Sequence, residues 1–272
     1  MVLLAFGAVQ ALGARADTVD GTLHYVALGD SYASGHGASS TYDDDACKRS
    51  PKAYSSTVYL KYRAVAQPSG ATSLVSVACT GATIPVVMAD QLPKVGAATR
   101  LITLTVGGND LNFAGVAKTC VLSSSADCNS ALNHLAGNVN EIRKPLNDLI
   151  RAIRLKALIA NIVVSGYPMI FDTGACGVLA ISEANRNRMR ALQTAVNLNI
   201  KDAAKSNSVQ FADLEEEGYF IGHRVCDSDP WINSVGDAIV AGDPAAAYHP
   251  NEDGQAAMAQ VVFDAALGTG VH

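Results

Sequence analysis

The sequence predicts an α/β fold: a parallel sheet with helices on both faces. Three observations lead there. Short apolar runs rich in β-branched residues alternate with longer segments of helical period, and glycine-containing turns follow several of the runs. Crossovers between parallel strands place helices on the faces of the sheet. Strand candidates lie at residues 24–28, 73–77, 101–106, 161–165 and 209–212. The third is the most β-branched. Helical stretches are expected over 53–65, 84–92, 131–153, 181–206 and 254–266. The 131–153 stretch repeats apolar residues at Leu132, Leu135, Val139, Ile142, Leu146, Leu149, Ile150 and Ile153, a spacing that keeps one helix face apolar.

Composition narrows the function. The chain has 272 residues, 49% of them hydrophobic and 17% charged. That is enough apolar material for a full core. Lys+Arg number 20 against Asp+Glu 25, for a net charge of −5. Without a basic cluster, phosphate-tracking nucleic-acid binding is not expected. No repeat or low-complexity linker divides the chain, so one domain is expected over 17–272.

Residues 1–16 read as a secretory signal peptide. The apolar run is shorter than the ~20 residues a membrane span needs, and Ala14-Arg15-Ala16 forms a small-residue cleavage pattern. The segment has no Lys or Arg before its apolar run, and a buried N-terminal helix is the alternative. A secreted protein without a membrane anchor is the expectation. The six cysteines, Cys47, Cys79, Cys120, Cys128, Cys176 and Cys226, contain no C-x-x-C pair, which disfavours zinc-ribbon and thioredoxin readings. Their even number suits disulfides in an exported chain, with fifteen pairings open.

In open parallel sheets, chemistry gathers at the carboxyl ends of strands. There the sequence places Gly29-Asp30-Ser31, then Thr80-Gly81-Ala82, then Gly107-Gly108-Asn109-Asp110. His249 stands before the last helix, in Tyr248-His249-Pro250. A serine at a turn can present its hydroxyl, a glycine a close main-chain N–H, an asparagine an amide donor, and a histidine a base. Each piece alone is common. All four in order form a joint signal.

On these residues the chain resembles the SGNH hydrolases, or GDSL esterases and lipases, and most closely their secreted actinomycete and fungal members. The resemblance runs from Tyr25 to about Ala266. Further pieces are Cys47 with Arg49 and Ser50, Gly166-Tyr167-Pro168, and the stretch from Gly222 through Cys226 to Asn233. It implies a three-layer α/β/α, flavodoxin-like SGNH fold with five parallel strands. It also implies pairing in chain order, Cys47–Cys79, Cys120–Cys128 and Cys176–Cys226. The implied reaction needs neither cofactor nor metal. Ser31 attacks the ester carbonyl, His249 carries the proton, and the Ser31 N–H, Gly81 N–H and Asn109 amide hold the oxyanion.

Many members of that family carry Asp three residues before the histidine, where this chain has Ala246. A main-chain carbonyl near Ala246 is the first candidate to orient the imidazole, with Asp243 and Asp229 as side-chain alternatives. His24, His36, His134, His223 and His272 match no metal-ligand spacing, though His36 could line the pocket. Asp43-Asp44-Asp45 reads as a solvated loop, and no phosphate-cradling motif or N-x-[ST] sequon is present. Three functions stay open: a lipid or alkyl/aryl ester hydrolase, a carbohydrate (xylan-type) acetyl esterase, and a catalytically silent binding protein. A monomer acting on a small-molecule or lipid ester is the leading expectation.

Overall fold

The computed structural model describes residues 23–44, 46–66, 70–173, 181–215 and 218–268. The expected signal peptide, Cys176 and His272 therefore lie outside the described residues. In chain order the elements are β1 (Leu23–Gly29), α1 (Ser31–Ser34), α2 (Tyr54–Ala66), β2 (Thr72–Ser76), α3 (Ile84–Val86), β3 (Thr99–Thr105), α4 (Phe113–Leu122), α5 (Ser125–Asn138), α6 (Arg143–Lys156), β4 (Asn161–Ser165), α7 (Glu183–Ser206), β5 (Gln210–Ala212), α8 (Val235–Val240) and α9 (Glu252–Leu267). All five strands are parallel, in the order β2-β1-β3-β4-β5. Burial follows position. β1, β3 and β4 are almost wholly buried, and the edge strands β2 and β5 are only partly covered. Helices α2 and α9 pack together on one face, and α6 and α7 on the other.

The five strands fall where the apolar runs predicted them, to within two residues at each end. The helices differ in three places. The expected 131–153 helix is two, α5 and α6, joined by a turn in which Glu141 N–H bonds Asn138 O and Arg143 N–H bonds Asn140 O. Val139 and Ile142 in that turn stay buried, so the apolar period continues across a break in the backbone. The 84–92 segment begins as α3, passes through a π turn at Val87–Gln91 and ends in a 3₁₀ turn at Leu92–Lys94. Helices α4 and α8 were not expected from the sequence.

Two long-range ties hold the loops at the top of the sheet. Buried Gln255 of α9 accepts from Tyr54 N–H (2.7 Å) and donates to Tyr32 O (3.1 Å), joining α9 to the starts of α2 and α1. Cys47–Cys79 links the loop after α1 to the exit of β2, while Cys120–Cys128 staples α4 to α5. Cys226 is also disulfide-bonded. In the chain-entropy picture a bridge spanning 32 residues restricts the unfolded chain by about 3–4 kcal/mol. Replacing Cys47 and Cys79 together by Ala is expected to lower unfolding stability by that amount. Urea titration reads it as a lower midpoint, and an unchanged midpoint would show that the bridge does not stabilise.

Candidate active site

The sheet order reverses direction between β1 and β3. The chain leaves β1 toward one edge and β3 toward the other, which opens a crevice at their carboxyl ends. Gly29 ends β1 at φ +134°, where a side chain would collide with the Thr105 carbonyl at the end of β3. Glycine alone tolerates both the torsion and the crowding. The main chain on both sides of Gly29 is clamped by the buried Gln91 amide, which accepts from Gly29 N–H (2.7 Å) and donates to Gly29 O (2.8 Å). The π turn carries this glutamine, a residue the sequence did not single out.

Asp30 then caps α1. Its Oδ1 accepts from Tyr32 N–H (3.0 Å). Its Oδ2 accepts from the Tyr167 hydroxyl (2.5 Å), and that hydroxyl in turn accepts from Gly108 N–H (3.0 Å). Burial raises the Asp30 carboxyl to about 7 against the pull of these hydrogen bonds. As the first residue of α1, Ser31 keeps a main-chain N–H that the helix does not use.

Ser31 Oγ lies 2.7 Å from His249 Nε2. The other ring nitrogen, Nδ1, lies 3.1 Å from the Ala247 carbonyl. A carbonyl only accepts, so Nδ1 carries the hydrogen and Nε2 is free to receive one. The Ala246 carbonyl takes the His249 main-chain N–H (3.1 Å), and the acceptor facing the imidazole is the adjacent Ala247 carbonyl, a main-chain group near Ala246 as expected. Asp243 bonds His36, and Asp229 pairs with His223; neither carboxylate hydrogen-bonds His249. Burial, helped by the neighbouring His36, pushes His249 down to about 4, so the ring is neutral at pH 7. Tyr248 before it holds a left-handed φ of +65°, which costs a non-glycine residue about 1–3 kcal/mol. Its carbonyl accepts from the Tyr32 hydroxyl (2.6 Å), which offsets part of that strain.

Gly81 sits at φ +78° with open space where a Cβ would stand. Asn109 Nδ2 donates to Ala82 O (3.0 Å), fixing the amide and leaving a second donor on that nitrogen. Asp110 accepts from Ile84 N–H (3.0 Å), so it steadies the joint between two loops. Ser31, Gly81, Asn109 and His249 line one cavity of about 240 Å³. Much of the remaining lining is apolar, with Phe113, Ala114 and Ala117 from α4 beside Ile170 and Val196. His36 lines the cavity too. Among the described residues no group of His, Cys, Asp and Glu has the arrangement of a metal site.

A hydroxyl at hydrogen-bond distance from a neutral, oriented imidazole is the geometry nucleophilic catalysis requires. Tyr167→Phe is expected to lower stability by about 2–4 kcal/mol, because it strands a buried carboxyl and a main-chain N–H together. Denaturant unfolding measures it, and a loss under 1 kcal/mol would show that the network contributes little.

The chain is similar in sequence and fold to several known proteins. The GDSL-like lipase/acylhydrolase family profile matches residues 27–257. A lipase of Streptomyces rimosus is 34% identical over 257 residues, covering 93% of this chain and 89% of its own. The crystal structure of the extracellular lipase from that organism superposes with a TM-score of 0.79 at 32% identity, covering 89% of this chain and 99% of its own. Phospholipase A1 from Streptomyces albidoflavus gives 0.76 at 32% identity, covering 91% and 99%. This chain belongs to the GDSL-like lipase/acylhydrolase family and is a carboxylic ester hydrolase.

Proposed function

We propose that Ser31 and His249 form the catalytic dyad of an exported, monomeric lipid or alkyl/aryl esterase. The observation that carries this reading is the 2.7 Å contact between Ser31 Oγ and His249 Nε2. Ser31 Oγ attacks the ester carbonyl as its proton passes to Nε2. The imidazolium then gives that proton to the leaving alcohol, and water repeats the sequence on the acyl-enzyme. The Ala247 carbonyl orients the ring and stabilises its charged form. Ser31 N–H, Gly81 N–H and the Asn109 amide receive the oxyanion. The expected signal peptide at 1–16 and the likeness to an extracellular lipase support export.

The apolar wall receives the acyl chain. The cavity of about 240 Å³ lies below the roughly 300–1,000 Å³ of sites for drug-sized ligands, which favours short and medium chains. A sugar platform finds less support. The single tryptophan, Trp231, is stacked at 3.6 Å on His223 and packed edge-on against Phe220, away from the cavity lining.

A panel of p-nitrophenyl esters from acetate to palmitate, beside acetylated xylan and phospholipid, tests the reading. Hydrolysis is expected to peak at short to medium acyl length. Activity confined to acetylated xylan would replace the lipid reading with the carbohydrate one, and failure of an organophosphonate to label Ser31 would remove that residue as the nucleophile. Asn109→Ala is expected to lower kcat by about 10²–10³; full activity would remove the amide from the oxyanion site.

The pH profile supplies a separate check. Protonated His249 cannot accept the serine proton, so activity falls as pH drops through the ring's folded-state pKa. With that value near 4, kcat/KM is expected to hold from pH 7 to about 5 and then decline. An acid limb centred near 6.5, the ordinary histidine value, would show that burial does not depress the ring.

A further inference from the structure

His36 is buried, 2% exposed, and both its ring nitrogens are engaged. Nε2 lies 3.1 Å from Asp243 Oδ2, and Nδ1 lies 3.0 Å from Thr80 Oγ1. Burial disfavours ionisation of Asp243, but the His36 hydrogen bond and nearby positive charge outweigh it and hold the carboxyl below its ordinary range. An ionised carboxylate only accepts, which places the hydrogen on Nε2. Nδ1 then accepts, and the Thr80 hydroxyl donates to it.

The ring's partners belong to two different loops of the site. Thr80 immediately precedes Gly81, and its main-chain N–H bonds Cys47 O (3.0 Å). Asp243 opens the 3₁₀ turn Pro244–Ala246, accepting from Ala246 N–H at 2.9 Å. The next residue is Ala247, whose carbonyl orients His249. One imidazole, itself attached to the nucleophile segment through His36 N–H to Ser31 O (3.1 Å), spans the two loops. Its ring centroid is 4.8 Å from that of His249. The other titratable groups facing the pair are Tyr42, with its hydroxyl 3.4 Å from Asp243, and Lys48, with its amine 3.8 Å from the same carboxylate.

We propose that His36 is a positioning residue that, through Thr80 and Asp243, fixes the Gly81 N–H and the Ala247 carbonyl relative to Ser31. The inference rests on the reading of Ser31 and His249 as the dyad. A misplacement of about 1 Å in such a constellation can cost about 10²-fold in rate, so the strap acts on kcat. Its hydrogen bonds run to Thr80 and Asp243 and not to the apolar lining residues, so KM for a short ester is expected to stay nearly constant. Asp243 acts on His249 through His36 and not as its direct partner.

The test is steady-state hydrolysis of p-nitrophenyl acetate or butyrate by the full chain with its disulfides intact, beside melting curves. His36→Ala is expected to lower kcat about 10–100-fold with KM within about threefold. His36→Gln, whose amide can donate to Asp243 and accept from Thr80, is expected to restore most of the loss. Thr80→Val and Asp243→Asn each disturb one bond and keep the ring in place, so each is expected to lower kcat about 3–10-fold. They carry the test if His36→Ala fails to fold. Adding Asp243→Asn to His36→Ala is expected to cost nothing further, because both remove the same strap. Wild-type kcat in folded His36→Ala, or in both Thr80→Val and Asp243→Asn, would overturn the proposal. So would losses that multiply in the double variant, or a His36→Gln enzyme as slow as His36→Ala at an equal melting temperature. A loss in Asp243→Asn as large as that of His249→Ala would instead make Asp243 the direct orienter. If the wild-type chain hydrolyses no ester, the dyad reading fails; wild-type turnover with an indifferent His36 defeats only the strap.

Discussion

The close approach of two strand ends, Gly29 of β1 and Thr105 of β3, sets the geometry of the whole upper surface. A side chain at Gly29 would occupy the space of the Thr105 carbonyl. Asp30 N–H bonds that same carbonyl at 2.9 Å, so the turn that carries Ser31 begins hydrogen-bonded to the neighbouring strand. The Gln91 amide bonds both the N–H and the carbonyl of Gly29. Three constraints around one residue leave little freedom in where Ser31 starts. Such rigidity suits a reaction that depends on donors fixed before charge develops.

From that fixed start, the segment from Asp30 to His36 reaches every other loop of the site. Asp30 reaches the Gly108 turn through Tyr167, Tyr32 holds the carbonyl just before His249, and His36 touches the loops of Gly81 and Ala247. The four segments that meet at the cavity are far apart in sequence, and hydrogen bonds from one short segment gather them. The left-handed torsion at Tyr248 fits this picture, since an unfavourable conformation persists only where the surroundings over-determine it. Burial that keeps Asp30 from ionising fully also keeps His249 neutral. One dry environment thus serves the scaffold and the base.

Much of this was legible in the sequence. β-Branched runs located the strands, because a strand covered on both faces needs apolar residues throughout. Ser31, Gly81, Asn109 and His249 could be named from their turns, and the cavity brings all four together. The α5–α6 break was not legible in the apolar period, because Val139 and Ile142 remain buried across it. Pro145, in the first turn of α6, was the available signal, since proline is tolerated there and disruptive further in. Gln91, Tyr167 and the strap through His36 were invisible for another reason. Their roles come from partners 62, 137 and 207 residues away, and nothing local distinguishes such an amide, phenol or imidazole from an ordinary one.

The stapled α4 has a consequence for how readily this protein could be adapted. Its small residues Ala114 and Ala117 form part of the apolar wall, while Cys120 ties the helix to α5 beyond the cavity. The backbone of that wall is therefore braced independently of the side chains that shape it. If the apolar lining receives the acyl chain as proposed, exchanging one alanine for a larger aliphatic would shift chain-length preference, with the braced helix resisting collapse. The scaffold separates the part of the site that selection can vary from the part it must keep.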